Sequence, residues 1–210
     1  MIIFYDMLHG NKLMKRLSIY LFLILFTLQT PSQADDIRDF QIEGMSIGDS
    51  LLDYFSEGEI KKFYRHDYPG SKKFFDLTIE SGYSKLEVFD ALLHGFKSGD
   101  KNYIIYNLGA ALDFPNDIDS CLKKKNEITS ELTELFAKLA TSKSYSREHD
   151  QDKTGESKVY STDFTFHTGE IARIVCIKWS DKFRKDNYID HLRLFLSTNE
   201  YRKWINEEAY

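Results

Sequence analysis

Residues 159–179 read VYSTDFTFHTGEIARIVCIKW. β-branched and aromatic residues dominate the stretch up to Phe166 and again from Ile171, with His167-Thr168-Gly169-Glu170 between them. That pattern, with turn chemistry in the middle, predicts two antiparallel strands over 159–168 and 171–179. Tyr188–Leu196 repeats the strand signal. Strands joined by connections this short pair antiparallel, because a parallel pair needs a long crossover.

Upstream lies the clearest helix. Asn116 or Asp117, after Pro115, supplies the cap. Ile118, Cys121, Leu122, Ile128, Leu132, Leu135, Phe136 and Leu139 make one apolar stripe ending at Leu139, with Lys and Glu opposite. Lys123-Lys124-Lys125 reads as a solvated face. Cys121 lies on the stripe and so faces the sheet. Cys176 alternates with Ile174 and Ala172, which puts it on the helix-facing side. The chain has these two cysteines and no others. A Cys121–Cys176 disulfide is therefore expected, closing a loop of about 55 residues worth roughly 4 kcal/mol in the chain-entropy model. Between helix and hairpin, Thr141–Lys158 is polar and reads as a mobile loop.

The first half is less regular. Phe40-Gln41-Ile42 alternates like a strand start. Ile47, Leu51, Leu52, Phe55, Ile60 and Phe63 fall at helical intervals, and Ser46–Asp49 and Ser56–Glu59 have capping spacing, so a helix over 47–63, broken near Gly58, is expected. Tyr68-Pro69-Gly70-Ser71 is a turn, and Lys73–Ile79 a strand. Residues 84–96 fit either a helix or a strand. The punctuation at Ser81-Gly82 and Lys97-Ser98-Gly99-Asp100 favours a strand paired with Tyr103–Leu112, in which Gly109 suggests a bulge or a close crossing. After Ser197–Glu200 a short terminal helix carries Tyr201, Trp204 and Ile205. The expected class is α+β: an antiparallel sheet of about six strands with one long helix packed on it, in two helix-plus-three-strand halves.

Leu17–Leu28, LSIYLFLILFTL, carries no charge, follows Lys12, Lys15 and Arg16, and leads to Pro31-Ser32-Gln33-Ala34. These are the parts of a secretory signal peptide, and the apolar core is short of the roughly 20 residues a membrane span needs. The expectation is a leader over 1–34, starting at Met14 and cleaved after Ala34, then one domain over 35–210 with no stable membrane span. No cysteine near the cleavage point could carry a lipid. The whole chain has net charge −5, and loss of the leader makes it more acidic. Acidity without a long basic run argues against nucleic acid, whose binding rests on phosphate neutralisation. Three prolines and 42% hydrophobic residues mark a folded domain.

Few motifs carry chemistry. His149-Asp150-Gln151-Asp152, with Glu148 and Glu156, gathers oxygen and imidazole groups without the offsets of a calcium loop. His66, His94, His167 and His191 are scattered, with His191 on the strand face opposite Leu192 and Leu194. No His-x-x-x-His or Cys-x-x-Cys pair suggests zinc, so no cofactor or metal is expected. The 16 Phe, 13 Tyr and 2 Trp are dense enough to fill a core or to line a binding surface. Phe164 and Phe166 share one strand face, and Trp179 shares a face with Val175 and Ile177.

Gly48-Asp49-Ser50-Leu51 resembles the signature of the GDSL hydrolases, which implies a serine nucleophile at Ser50. The rest of that family's pattern departs: Asp190 precedes His191 directly, and Phe114-Pro115 stands before Asn116-Asp117 where a Gly-x-Asn-Asp would be needed. More of the chain, DIRDFQIEGMSIGDSLL over 36–52, DKNYIIY over 100–106 and the helix opening Asp119-Ser120-Cys121, resembles an uncharacterised family of small exported bacterial proteins. That resemblance implies export and a shared fold. Gly44-Met45-Ser46 before an amphipathic segment is similar to small α+β envelope proteins related to outer-membrane assembly factors. The expectation is an exported, periplasmic or secreted, non-catalytic binding or interaction domain, its partner an envelope protein or a small ligand. The alternatives are a serine esterase using Ser50 and an envelope-assembly accessory.

Overall fold

The computed structural model describes residues 36–80 and 86–210; the leader, its cleavage point and the Ser81-Gly82 turn lie outside them. Polar Glu43-Gly44, both at positive φ, closes a two-residue hairpin between β1 (Gln41–Ile42) and β2 (Met45–Ser46). A single 3-10 turn (Leu51–Asp53) and the short α1 (Glu57–Ile60) follow. Then come β3 (Tyr64–Asp67), β4 (Phe74–Glu80), β5 (Ala91–Lys97), β6 (Asn107–Asp113), α2 (Ile118–Leu135), β7 (Ala140–Glu148), β8 (Lys158–Phe166), β9 (Ile171–Lys178), α3 (Asp181–Lys185), β10 (His191–Ser197) and α4 (Asn199–Glu207). Eight strands form one antiparallel sheet in the order β3-β4-β5-β6-β10-β9-β8-β7. It is two four-stranded meanders joined along β6 and β10, whose register runs from His191 opposite Asp113 to Ser197 opposite Asn107. Among the described residues no helix is long and apolar enough to cross a membrane.

The α+β class holds; the finer expectations change. The sheet has eight strands, not about six, and four α-helices are described where the expectation was one long helix on the sheet, a helix over 47–63 and a short terminal helix. Each half contains four strands, and the first has no long helix. Of the expected mobile loop at 141–158, residues 141–148 are β7, paired with β8 along its whole length from Ala140–Phe166 to Glu148–Lys158, and residues 149–157 form the β7–β8 loop. Its side chains are mostly exposed, which is why TSKSYSRE shows no apolar alternation. Lys143, Arg147 and Glu148 make it the charged kind of edge strand that discourages further pairing.

The helix expected over 47–63 reduces to the 3-10 turn and the four-residue α1, which contains Gly58 where a break was expected, because the backbone of 48–51 bonds elsewhere. Gly48 N–H donates to Ile105 O, Ile105 N–H to Asp49 O and Leu51 N–H to Tyr103 O. Those non-local bonds override the helical spacing, and Gly48 itself sits at φ +93°. The same bonds hold 103–105 off the sheet, so the strand expected from Tyr103 begins at Asn107. Within 84–96 the strand reading is right from Ala91; residues 87–89 instead present their N–H groups to the Glu43 carboxylate.

α2 begins as expected, with Asp117 Oδ1 accepting the Ser120 N–H at 3.0 Å, but ends at Phe136 rather than Leu139. Cys121 and Cys176 form the disulfide, Cα atoms 6.1 Å apart, tying the first turn of α2 to the middle of β9. Lys125, one turn further, is not on the solvated face. It is buried, and its Nζ donates to Thr162 Oγ1 at 2.6 Å. Phe136 packs on Phe164, Phe166 and Phe40, closing this face of the sheet. On the opposite face α4, capped by Thr198 rather than by Ser197, lays Tyr201 and Trp204 over Phe74. Two strand glycines make room for rings on this face: a Cβ on Gly95 would lie 2.4 Å from the Tyr201 ring of α4, and one on Gly109 2.6 Å from Phe195 of β10. The close crossing expected at Gly109 is therefore a ring seated on the strand.

His94 faces the α2 side of β5, opposite Leu77 and Leu108, fully buried with neither ring nitrogen hydrogen-bonded. Burial pushes its pKa down to about 3. The unfolded chain takes up this proton near pH 6.5 and the folded chain does not, so stability is present above pH 6.5 and drains as pH falls toward 3. At about 1.4 kcal/mol per unit per proton, His94 costs about 2 kcal/mol between pH 6.5 and 5. Urea unfolding at the two pH values should show this loss. His94→Leu should raise stability at pH 7 and flatten the pH dependence. An unchanged pH dependence in His94→Leu would contradict the assignment.

Candidate ligand-binding pocket

Asp113, His191 and Ile177 stand opposite one another across β6, β10 and β9, and Arg193 follows His191 on the same face. This is the face away from α2, at the end of the sheet remote from α4. The β9–β10 connection adds Trp179, Asn187, Tyr188 and Ile189, and the β7–β8 loop adds His149 and Gln151, enclosing a pocket of about 380 Å³.

The two loops are pinned by buried polar groups. Asp152 accepts from the Ser157 hydroxyl and N–H and from the Thr154 hydroxyl and N–H. The Ser157 and Thr154 bonds hold its carboxyl well below the usual range. Ser157 Oγ in turn accepts the Ser180 N–H at 2.9 Å, joining one loop to the other. Asp190, fully buried, accepts the Trp179 N–H at 2.8 Å and Arg184 Nη2 at 2.6 Å. Across the pocket, Gln151 Nε2 donates to Tyr188 Oη at 3.0 Å. The Trp179 ring lies against His149, Tyr188 and Phe183, with centroids 4.3, 4.7 and 5.2 Å apart.

Three lining residues hold a buried nitrogen with no hydrogen-bond partner: Trp179 Nε1, His191 Nε2 and Arg193 Nε. Such groups are rare inside proteins because each forfeits its hydration. His191 Nδ1 donates to Ile189 O at 2.7 Å, which leaves Nε2 as an acceptor on the neutral ring. Burial first, then Arg193, pushes the His191 pKa down to about 4, and burial lowers that of His149. Arg193 forms no ion pair among the described residues. Burial raises the Asp113 carboxyl, helped by Asp90 and opposed by Arg193. The pocket thus combines one unneutralised cation, one carboxylate, neutral imidazoles and an apolar wall, which suits recognition of a small polar molecule.

The sequence placed Trp179 with Val175 and Ile177, and His191 opposite Leu192, as found. It missed Arg193 and Asp113, and it read His149 and Gln151 only as part of a charged loop. Arg193, a charge on the same strand face as His191 and Phe195, was the available signal. The acids near His149 have partners of their own: Arg147 bonds Asp150, and Lys158 bonds Glu148. Among the described residues no group of three or more His, Cys, Asp or Glu is placed to hold a metal. Ser50 caps the 3-10 turn, accepting the Leu52 N–H at 3.2 Å and donating to Asn102 O at 2.6 Å. A second concavity of about 260 Å³, between the end of α2 and β7–β8, is lined by Thr133, Phe136, Ala137, Ala140, Ser142 and Phe164 and has no titratable group.

The fold is an eight-stranded antiparallel α+β sheet with a polar pocket at one end of the face opposite its long helix. No family model matches the chain, and no curated protein matches it. Among solved structures, the solution structure of cyanobacterial PsbP (CyanoP) from Synechocystis sp. PCC 6803 is similar, at 9% identity and a TM-score of 0.33 over 69% of this chain and 84% of that one.

Proposed function

We propose that the protein is an exported, non-catalytic binding domain that takes a small polar ligand in the pocket between the β7–β8 and β9–β10 loops. The observation that carries the reading is the convergence of three unpartnered buried nitrogens on one concavity whose loops are held by Asp152 and Asp190. Groups left unsatisfied in this way gain hydrogen bonds when a ligand arrives, whereas elsewhere they only cost stability. The Cys121–Cys176 disulfide supports export, since such bonds persist in oxidising compartments. The capping role of Ser50 supports a binding function over hydrolysis, because its hydroxyl is engaged in the backbone of a turn.

The test is a small-metabolite library titrated into the disulfide-intact protein, followed by the indole N–H resonances of its two tryptophans. At least one compound is expected to shift Trp179 while leaving Trp204, buried at the other end of the sheet, unmoved. A Trp179 signal silent across the library overturns the pocket as a binding site. Covalent labelling of Ser50 by a fluorophosphonate probe would overturn the non-catalytic part.

A further inference from the structure

Asp113 and Arg193 are diagonal neighbours on adjacent antiparallel strands: His191 pairs with Asp113, and Arg193 with Ala111. Diagonal pairs of this kind stand about 7–8 Å apart at their Cα atoms. Both line the pocket, yet they form no ion pair with each other within 4 Å or with any other described residue. The carboxylate sits at the exposed rim and the guanidinium is half-buried. Two opposite charges held side by side without meeting form a divided receptor.

Each charge is disfavoured as it stands. Burial opposes the Arg193 cation, and burial together with the neighbouring Asp90 opposes the Asp113 anion. A ligand carboxylate would relieve the first and a ligand ammonium the second. Among the lining residues one carboxylate faces one guanidinium, His191 and His149 being held neutral by burial, and Asp90 beside Asp113 adds a negative charge at the rim. One cation with acids beside it disfavours a dianion such as a phosphate monoester and favours a ligand that carries a cationic group as well as an anionic one. Trp179, Tyr188, Ile177 and Ile189 supply an apolar wall beside the charges. A volume of about 380 Å³ suits one small molecule rather than a peptide chain.

We propose that the pocket recognises a free α-amino acid with an apolar or aromatic side chain, its carboxylate on Arg193 and its ammonium on Asp113, with Trp179 and Tyr188 against the side chain. This deepens the binding reading above and depends on it. Specificity would come from the charge pair: a molecule with only one of the two groups leaves the opposite charge of the pocket unmatched.

The test compares L-phenylalanine with 3-phenylpropanoate, which lacks the ammonium, and phenethylamine, which lacks the carboxylate. Affinities are read by calorimetry and from the Trp179 indole resonance of the disulfide-intact protein. Phenylalanine is expected to bind roughly tenfold or more tightly than either analogue, the loss usual for one charged hydrogen bond. Asp113→Asn, at an exposed position, should weaken phenylalanine and strengthen 3-phenylpropanoate, whose carboxylate no longer has an unmatched anion beside it, so that the preference between the two is lost. Arg193→Met, which keeps the stem of the side chain, should abolish the binding of both. Equal affinity of phenylalanine and 3-phenylpropanoate, or an Asp113→Asn protein that still prefers phenylalanine, overturns the amino-acid assignment while the pocket stands. A library compound that shifts Trp179 while all three probes are silent does the same.

Discussion

Replacing Cys121 and Cys176 together by alanine is expected to lower the unfolding free energy by about 4 kcal/mol, the cost of freeing a loop of this length in the unfolded chain. The bridge spans 55 residues and joins the only long helix described to the centre of the sheet, so few other contacts can replace it. Both sulfurs are fully buried between α2 and β9. Urea denaturation followed by tryptophan fluorescence measures the loss, and the reduced wild-type protein should show nearly the same change. A difference below about 1 kcal/mol between oxidised and reduced protein would mean that α2 is held mainly by the packing of Phe136 and by the Lys125–Thr162 bond.

The second large effect concerns Asp190. Its carboxylate is fully buried and holds both the Trp179 N–H and the Arg184 guanidinium. Removing one partner of a buried ion pair costs about 3–5 kcal/mol, because the remaining group is left unsatisfied. Asp190→Ala should therefore lose about 3 kcal/mol, the lower end, since Arg184 retains a bond to exposed Asp181. It should also move the Trp179 indole resonance, because this carboxylate sets where the β9–β10 connection leaves the sheet. Asp190→Asn keeps an acceptor for the Trp179 N–H and should lose less. Equal losses in the two variants would show that the charge pair, not the bond to Trp179, anchors the pocket wall.

Legibility in the sequence followed the locality of the forces. The β8–β9 hairpin could be read because alternation and turn chemistry are both local, and Gly169 at φ +97° sits where the turn was expected. The start of α2 was legible because Asp117 is a cap that acts within three residues. The disulfide was legible because two independent periodicities each turned a cysteine toward the same interface. Helical spacing over 47–63 misled, since Leu51, Ile60 and Phe63 do become buried, but through turns whose backbone bonds reach residues 103–105. β7 was invisible because an edge strand exposed along most of its length needs no apolar pattern. Lys125 looked like one of three surface lysines. Only the hydroxyl of Thr162, 37 residues away, makes its burial tolerable.

By itself the sequence determined the α+β class, the antiparallel character of the sheet, the long helix and the pairing of its cysteines, because each follows from side-chain period and local turn chemistry. The tertiary structure alone decided that two four-stranded meanders join along β6 and β10. That junction brings Asp113, 80 residues distant in the chain, alongside Arg193. A binding site made of unmatched charges has no local signature: the energy that defines it exists only when strands remote in sequence lie side by side.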